Sequence, residues 1–264
     1  MTGLGLYLGL GAVAGLVAGL LGVGGGLIIV PVLLWLFEGQ GIGGPYAMHL
    51  AVGTSLGTIV FTSLSSVRAH HRRGAVAWAV FARMTPGIVV GGLAGAAFAG
   101  ALGGRALEVV FGLFELAVAA RMAWGARPAP HRGLPGRAGL TAAGGVIGAF
   151  SALVGIGGGT LTVPFLVWCN LTMQRAVATS AACGLPIAAA GAVGFVVAGW
   201  DAAGLPAGSF GFLYLPALLG IVLASVLLAP VGARIAHAVP GLALRRAFAV
   251  FLVAAGLGMA FGWP

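Results

Sequence analysis

Long apolar runs broken by glycine, proline and arginine make up almost the whole chain, and their lengths predict helices rather than strands. A first broken run covers about 3–37, and helices are predicted at about 47–67, 76–99 and 106–124. The stretch from Gly125 to Arg137 is the longest polar, proline-rich segment and falls almost at the middle. The same order then returns: a broken run at about 138–169, and helices at about 176–199, 209–231 and 243–261. Each run approaches or exceeds the roughly 20 residues that span a hydrocarbon core of about 30 Å.

The return of the order reflects a duplication. Gly24-Gly25-Gly26 with Pro31 and Trp35 matches Gly157-Gly158-Gly159 with Pro164 and Trp168, and Ala51-Val52-Gly53-Thr54-Ser55 matches Ala176-Val177-Ala178-Thr179-Ser180. Pro86 then falls on Pro216, and Ala106-Leu107, Phe111 and Met122 fall on Ala243-Leu244, Phe248 and Met259. The predicted organisation is a first transmembrane repeat at 1–124, a cytoplasmic linker at 125–137 and a second transmembrane repeat at 138–264, together forming one domain.

Composition then excludes a soluble protein. Hydrophobic residues make up 60% of the 264 positions and charged residues 6%, with a mean hydropathy of +1.12. The first run lacks a basic leader and a clear cleavage site, so it is read as part of the fold. Cys169 and Cys183 match no metal or redox spacing and are read as small packing residues. All 13 basic residues are arginine, against four acids, and the net charge of +9 is read as loop arginines rather than a nucleic-acid surface.

Arginine also decides the expected topology. If each broken run crosses once, the loop arginines divide almost evenly between the two sides. If each enters and returns as a hairpin, Arg105 alone stands opposite the rest, beside Glu38 and Asp201. The positive-inside rule prefers the second arrangement, which inverts the halves and puts the linker in the cytoplasm and both termini outside. The expected fold is therefore all-α and polytopic: two inverted repeats, each a re-entrant broken-helix hairpin followed by three transmembrane helices. The arms of the first hairpin are unequal, since 3–21 is long enough to cross whereas 27–37 reaches only about 16 Å.

Three consecutive glycines are poor helix interior, each costing about 1 kcal/mol relative to alanine, so each copy should start a new helix near the midplane. A helix start offers unpaired N–H donors and roughly half a positive charge, and two facing starts make an anion site. The expected substrate-binding residues are Gly24, Gly25, Gly26, Thr54, Ser55, Gly157, Gly158, Gly159, Thr160, Thr179 and Ser180, with Thr162 adding to the second half. Gly11, Gly15 and Gly19, and Gly91 with Gly95, are read as helix-packing ladders. Arg83 and Glu115 are the deepest charges and are expected to form a structural or gating pair. His70 and His71 lie in an expected plain loop, and no metal site or cofactor is expected.

The paired GxGGG-x4-P segments, the following Ala-Val-x-Thr-Ser, and Tyr214-Leu215-Pro216 before Gly232-Ala233-Arg234 resemble the TauE/SafE family of sulfite exporters over essentially the whole chain. That resemblance implies export of sulfite or a related small sulfur-containing anion, such as a sulfonate or thiosulfate, across a bacterial inner membrane. It also implies that the triple glycines and Thr-Ser pairs are site residues. Beside this stand an importer or channel for a similar anion, and, in another class, a non-transporting structural or signalling subunit. An enzyme is not expected, because no paired nucleophile and base lies within the spans. The expected partners are the anion and the bilayer, with room for a homodimer.

Overall fold

The computed structural model describes residues 2–21, 25–123, 133–235 and 241–262. It is helical almost throughout. Helices α1 (Thr2–Leu21) and α2 (Gly26–Gly39) flank the first glycine break, and a 3-10 turn at Gly44–Tyr46 leads into α3 (Ala47–Arg72). Helices α4 (Trp78–Ala101) and α5 (Gly104–Ala123) complete the first half. The second half holds α6 (Arg137–Leu153), α7 (Gly159–Trp168), α8 (Met173–Ala198), the strands β1 (Ser209–Phe210) and β2 (Leu213–Tyr214), α9 (Leu215–Ile235) and α10 (Gly241–Phe261). By length and hydropathy, Gly44–Arg72, Trp78–Ala101 and Met173–Ala198 are each able to cross a membrane, and shorter apolar helices accompany them. Most of the expected linker, at 125–132, lies outside the described residues, as does residue 124.

Helices from different halves pack together along α4·α6, α1·α9, α3·α8 and α5·α10. Small residues make the close approaches. Cβ atoms added at Gly87, Gly91 and Gly95 of α4 would strike the backbones of Thr141, Gly145 and Ala149 of α6. Likewise, Cβ atoms at Gly11 and Gly15 of α1 would stand 2.7 Å from the Cα atoms of Ile221 and Ser225 in α9. Lipid gives little hydrophobic drive for helix association, so backbone contact through glycine is what binds such helices. Both contact series ascend in both partners, so α4 runs parallel to α6 and α1 runs parallel to α9.

The two ends of the bundle differ in charge. At one end, Tyr7 Oη donates to Gln40 Oε1 at 3.4 Å, so the start of α1 and the residue after α2 lie together. His49, at the start of α3, meets the carbonyls of Ala99 and Leu102 at 3.2 and 3.0 Å. Arg105 sits there too, paired with Glu108 at 2.9 Å and donating to Met259 O and Ala260 O, which caps the end of α10. The opposite end carries the finish of α3 with Arg68, Arg72 and Arg73, and the starts of α4 and α6. Thr141 Oγ1 of α6 donates there to Arg83 O at 2.8 Å.

Two expectations are corrected, and a third is given its geometry. The helix expected from 209 begins at Leu215, because Gly208 and Gly211 adopt φ of +87° and +54° and fold 209–214 into a two-stranded hairpin. Pro216 then sits in the first turn of α9, where its missing N–H costs nothing. The loop expected around His70 and His71 is the last turn of α3, ended by Gly74 at φ +63°. The unequal arms of the first broken run are offset in depth: a Cβ on Gly25 would lie 3.9 Å from Ala14 Cβ. α1 therefore continues about 10 Å past the level at which α2 starts.

Candidate functional site

The two glycine breaks touch. A Cβ on Gly26, the first residue of α2, would stand 2.5 Å from Gly155 O and 2.9 Å from Ile156 Cα. Gly155 has φ +68° and turns the chain from α6 toward α7. Gly25 and Gly158 are the N-cap residues of α2 and α7, and neither helix start is capped by a side chain. Gly159 opens α7, and Gly157 lies against Ile59 Cγ2 at 3.5 Å by the same Cβ construction. Gly24 lies outside the described residues.

Hydrogen bonds that cross between the halves hold this contact. Ser55 Oγ donates to Gly155 O at 2.9 Å, and both residues are buried. Thr54 Oγ1 accepts from Tyr214 N at 2.9 Å, and Thr179 Oγ1 accepts from Ala77 N at 2.9 Å. These two threonines thus anchor the segments that lead into α9 and α4. The β1–β2 hairpin joins the same framework: Phe212 N donates to Phe195 O at 3.2 Å, and the Phe212 ring lies 4.9 Å from that of His49.

Around the second break the polar groups are placed differently. A Cβ on Gly158 would lie 3.1 Å from both Thr162 Oγ1 and Ser180 O, and one on Gly184 would lie 3.2 Å from Ser63 Oγ and 3.6 Å from Gly158 N. Thr160, Thr162 and Ser180 are buried, and their hydroxyls have no hydrogen-bond partner among the described residues. Ser151, at the end of α6, shares that condition. Its backbone carbonyl accepts from Ile156 N at 3.0 Å, which fixes it beside the break. Sequence reasoning missed Ser151; the one available signal was that it faces Ala18 when the repeats are overlaid.

From Ser63, α3 continues about 8 Å to Arg68 and enters an open cavity of about 820 Å³. Leu64, Val67, Arg68, His71, Arg72 and Trp78 line it. Its lining is mostly apolar and includes the two cations Arg68 and Arg72.

Arg83 and Glu115 do not come together. Arg83 is exposed on α4, Glu115 is wholly buried in α5, and no ion pair joins them among the described residues. Their depths explain this: α4 and α5 share a turn at one end, from which Arg83 lies about 27 Å and Glu115 about 17 Å. Both carboxylate oxygens of Glu115 lack a hydrogen-bond partner among the described residues. No group of three potential metal ligands occurs among those residues either. Cys169 and Cys183 are free and buried.

A family model described as sulfite exporter TauE/SafE matches residues 7–259. A "probable membrane transporter protein" of Haemophilus influenzae is 33% identical over 255 residues, covering 96% of this chain and 97% of its own. Two Bacillus subtilis proteins named as probable membrane transporter proteins are also similar. YunE is 31% identical over 191 residues, covering 65% of this chain and 70% of its own. YdhB is 26% identical over 267 residues, covering 94% and 96%. No solved structure matches the chain.

Proposed function

The chain belongs to the TauE/SafE family of sulfite exporters, a family of integral membrane transporters, and on that premise we propose that it exports sulfite or a related small sulfur-containing anion by alternating access. The observation that carries this reading is that the uncapped start of α2 packs on Gly155–Ile156, the turn that leads into the uncapped start of α7, with buried unpaired hydroxyls on the α7 side. Unpaired N–H and O–H donors at membrane depth suit an oxyanion.

The halves act as inverted repeats whose broken segments enter from opposite sides as re-entrant hairpins. Supporting this, Tyr7 and Gln40 share the Arg105 end, while Thr141 of α6 lies at the opposite end, beside Arg83. The arginine-rich end then faces the cytoplasm of a bacterial inner membrane, with the linker, and the termini lie outside. The cavity lined by Arg68, His71 and Arg72 collects anions on that side and leads along α3 to Gly158. The chain acts through residues 1–124 and 138–264 as one transport domain.

Export down the potential needs no other energy source. An anion leaving a negative interior gains about 2.3 kcal/mol per charge per 100 mV. Sulfite, thiosulfate and an alkyl sulfonate are therefore to be compared in proteoliposomes at imposed potentials. The reading expects movement of at least one of them that follows the sign and size of the potential. Equal flux in protein-free vesicles would reject it.

A further inference from the structure

We propose that the second glycine break alone holds the anion, through the hydroxyls of Ser151, Thr162 and Ser180, while the first break closes the site as an apolar wall. This rests on the transport reading above and goes beyond its two uncapped helix starts. Helical Ser and Thr side chains ordinarily return their proton to a carbonyl three or four residues back. Five other helical hydroxyls among the described residues follow that habit: Thr58 donates to Ser55 O, Thr62 to Thr58 O, Thr85 to Phe81 O, Thr141 to Arg137 O and Ser225 to Val222 O.

Four hydroxyls near the second break depart from it together. Thr160 is 8% exposed and the other three at most 1%, yet none has a hydrogen-bond partner among the described residues. They come from three helices, α6, α7 and α8, and Thr162 Oγ1 points at the N-cap Gly158, within 3.1 Å of where a Cβ would stand. Buried polar groups in native proteins are nearly always paired. Thr160 lies two residues from Thr162, on the other side of α7. Ser151, Thr162 and Ser180 belong to the residues packed at the second break, and together they point to a ligand that accepts hydrogen bonds from them.

The first half cannot offer the same set. The positions matching Ser151 and Thr162 are Ala18 and Ile29, and Ser55, which matches Ser180, gives its proton to Gly155 O. Gly26 is pressed against the Gly155–Ile156 backbone, which leaves no space between them for an ion. Ile59 and Ile187, whose methyl carbons lie 3.5 and 3.2 Å from Cβ atoms built on Gly157 and Gly158, complete the apolar side. The ligand this fits is an oxyanion that presents several acceptor oxygens to one side only.

The test uses purified full-length protein, sulfite as the probe, and Ser151→Ala, Thr162→Val, Thr162→Ser and Thr85→Val. Thr162→Val should raise the unfolding temperature of the ligand-free protein, because it removes an unpaired hydroxyl, and should lose the further rise that sulfite gives the wild type. In proteoliposomes Ser151→Ala and Thr162→Val should each raise the KM for sulfite by about tenfold, the loss of one hydrogen bond to a charged group. Thr162→Ser should restore the wild-type KM, and Thr85→Val should leave it unchanged. Wild-type flux with unchanged KM in both Ser151→Ala and Thr162→Val overturns this assignment alone. Wild-type protein that neither binds nor moves sulfite overturns the transport reading and this assignment with it.

Discussion

Gly26→Ala tests the contact on which the whole arrangement depends. A Cβ at that position would stand 2.5 Å from Gly155 O, 2.9 Å from Ile156 Cα and 3.3 Å from Ile59 Cδ1. Two of these neighbours are backbone atoms, so no rotamer change relieves them. The breaks must separate by about 1 Å to reach ordinary contact, and overpacking of that kind costs about 1–3 kcal/mol. Alanine's better helix propensity returns at most about 1 kcal/mol, and less at a helix's first residue. The net expectation is a loss of about 1–2 kcal/mol, together with weaker sulfite transport, since a 1 Å displacement of a binding group has been worth as much as a hundredfold. The comparison is Gly9→Ala on the exposed face of α1, where nothing lies within 4 Å and propensity alone should stabilise. Thermal unfolding of the two purified variants, followed by tryptophan fluorescence, separates the cases. Gly26→Ala melting at or above the wild type would refute the close approach of the two breaks.

Other consequences follow from the same geometry. Thr54→Val leaves the half-buried N–H of Tyr214 without its acceptor and should cost about 1 kcal/mol of stability, read by the same thermal assay. Arg68→Ala with Arg72→Ala should raise the KM for sulfite at low salt, with an effect that fades as salt screens the cavity; a salt-independent change would argue against attraction there. Glu115→Gln keeps the shape of the buried side chain, and since uniport needs no proton, efflux should still follow the potential; its loss would assign the coupling to that carboxyl. Cysteine placed at exposed Leu134 should resist an impermeant thiol reagent applied to intact cells while one at Asp201 reacts, and the buried Cys169 and Cys183 give little background.

The parts of this structure that were legible in the sequence are those that backbone chemistry dictates locally. Three glycines in a row cannot continue a helix, and both α2 and α7 start at them. The Gly11/Gly15 and Gly91/Gly95 spacings mark faces where backbones touch, and the structure puts α9 and α6 against them. The 209–214 hairpin was hidden because its residues are as apolar as a helix, and only the positive φ of Gly208 and Gly211 tells the two apart. Arg83 and Glu115 were paired from their place within separate runs, but depth depends on which helix ends meet, and that is a property of the assembled bundle. Ser151 escaped notice for a similar reason: one serine in a small-residue helix gives no sign of whether its hydroxyl bonds its own turn. Only the packed structure distinguishes it from Ser225, which does so.

The central claim is that an anion sits at the start of α7, and equilibrium binding of sulfite to purified wild-type protein and to Gly158→Leu measures it most directly. A Cβ at Gly158 would already stand 3.1 Å from Thr162 Oγ1 and Ser180 O and 3.2 Å from Ile187 Cδ1, so a leucine there displaces the groups around the start of α7. The account predicts saturable binding by the wild type and its loss in a folded Gly158→Leu protein. Equal affinity in the two would contradict it.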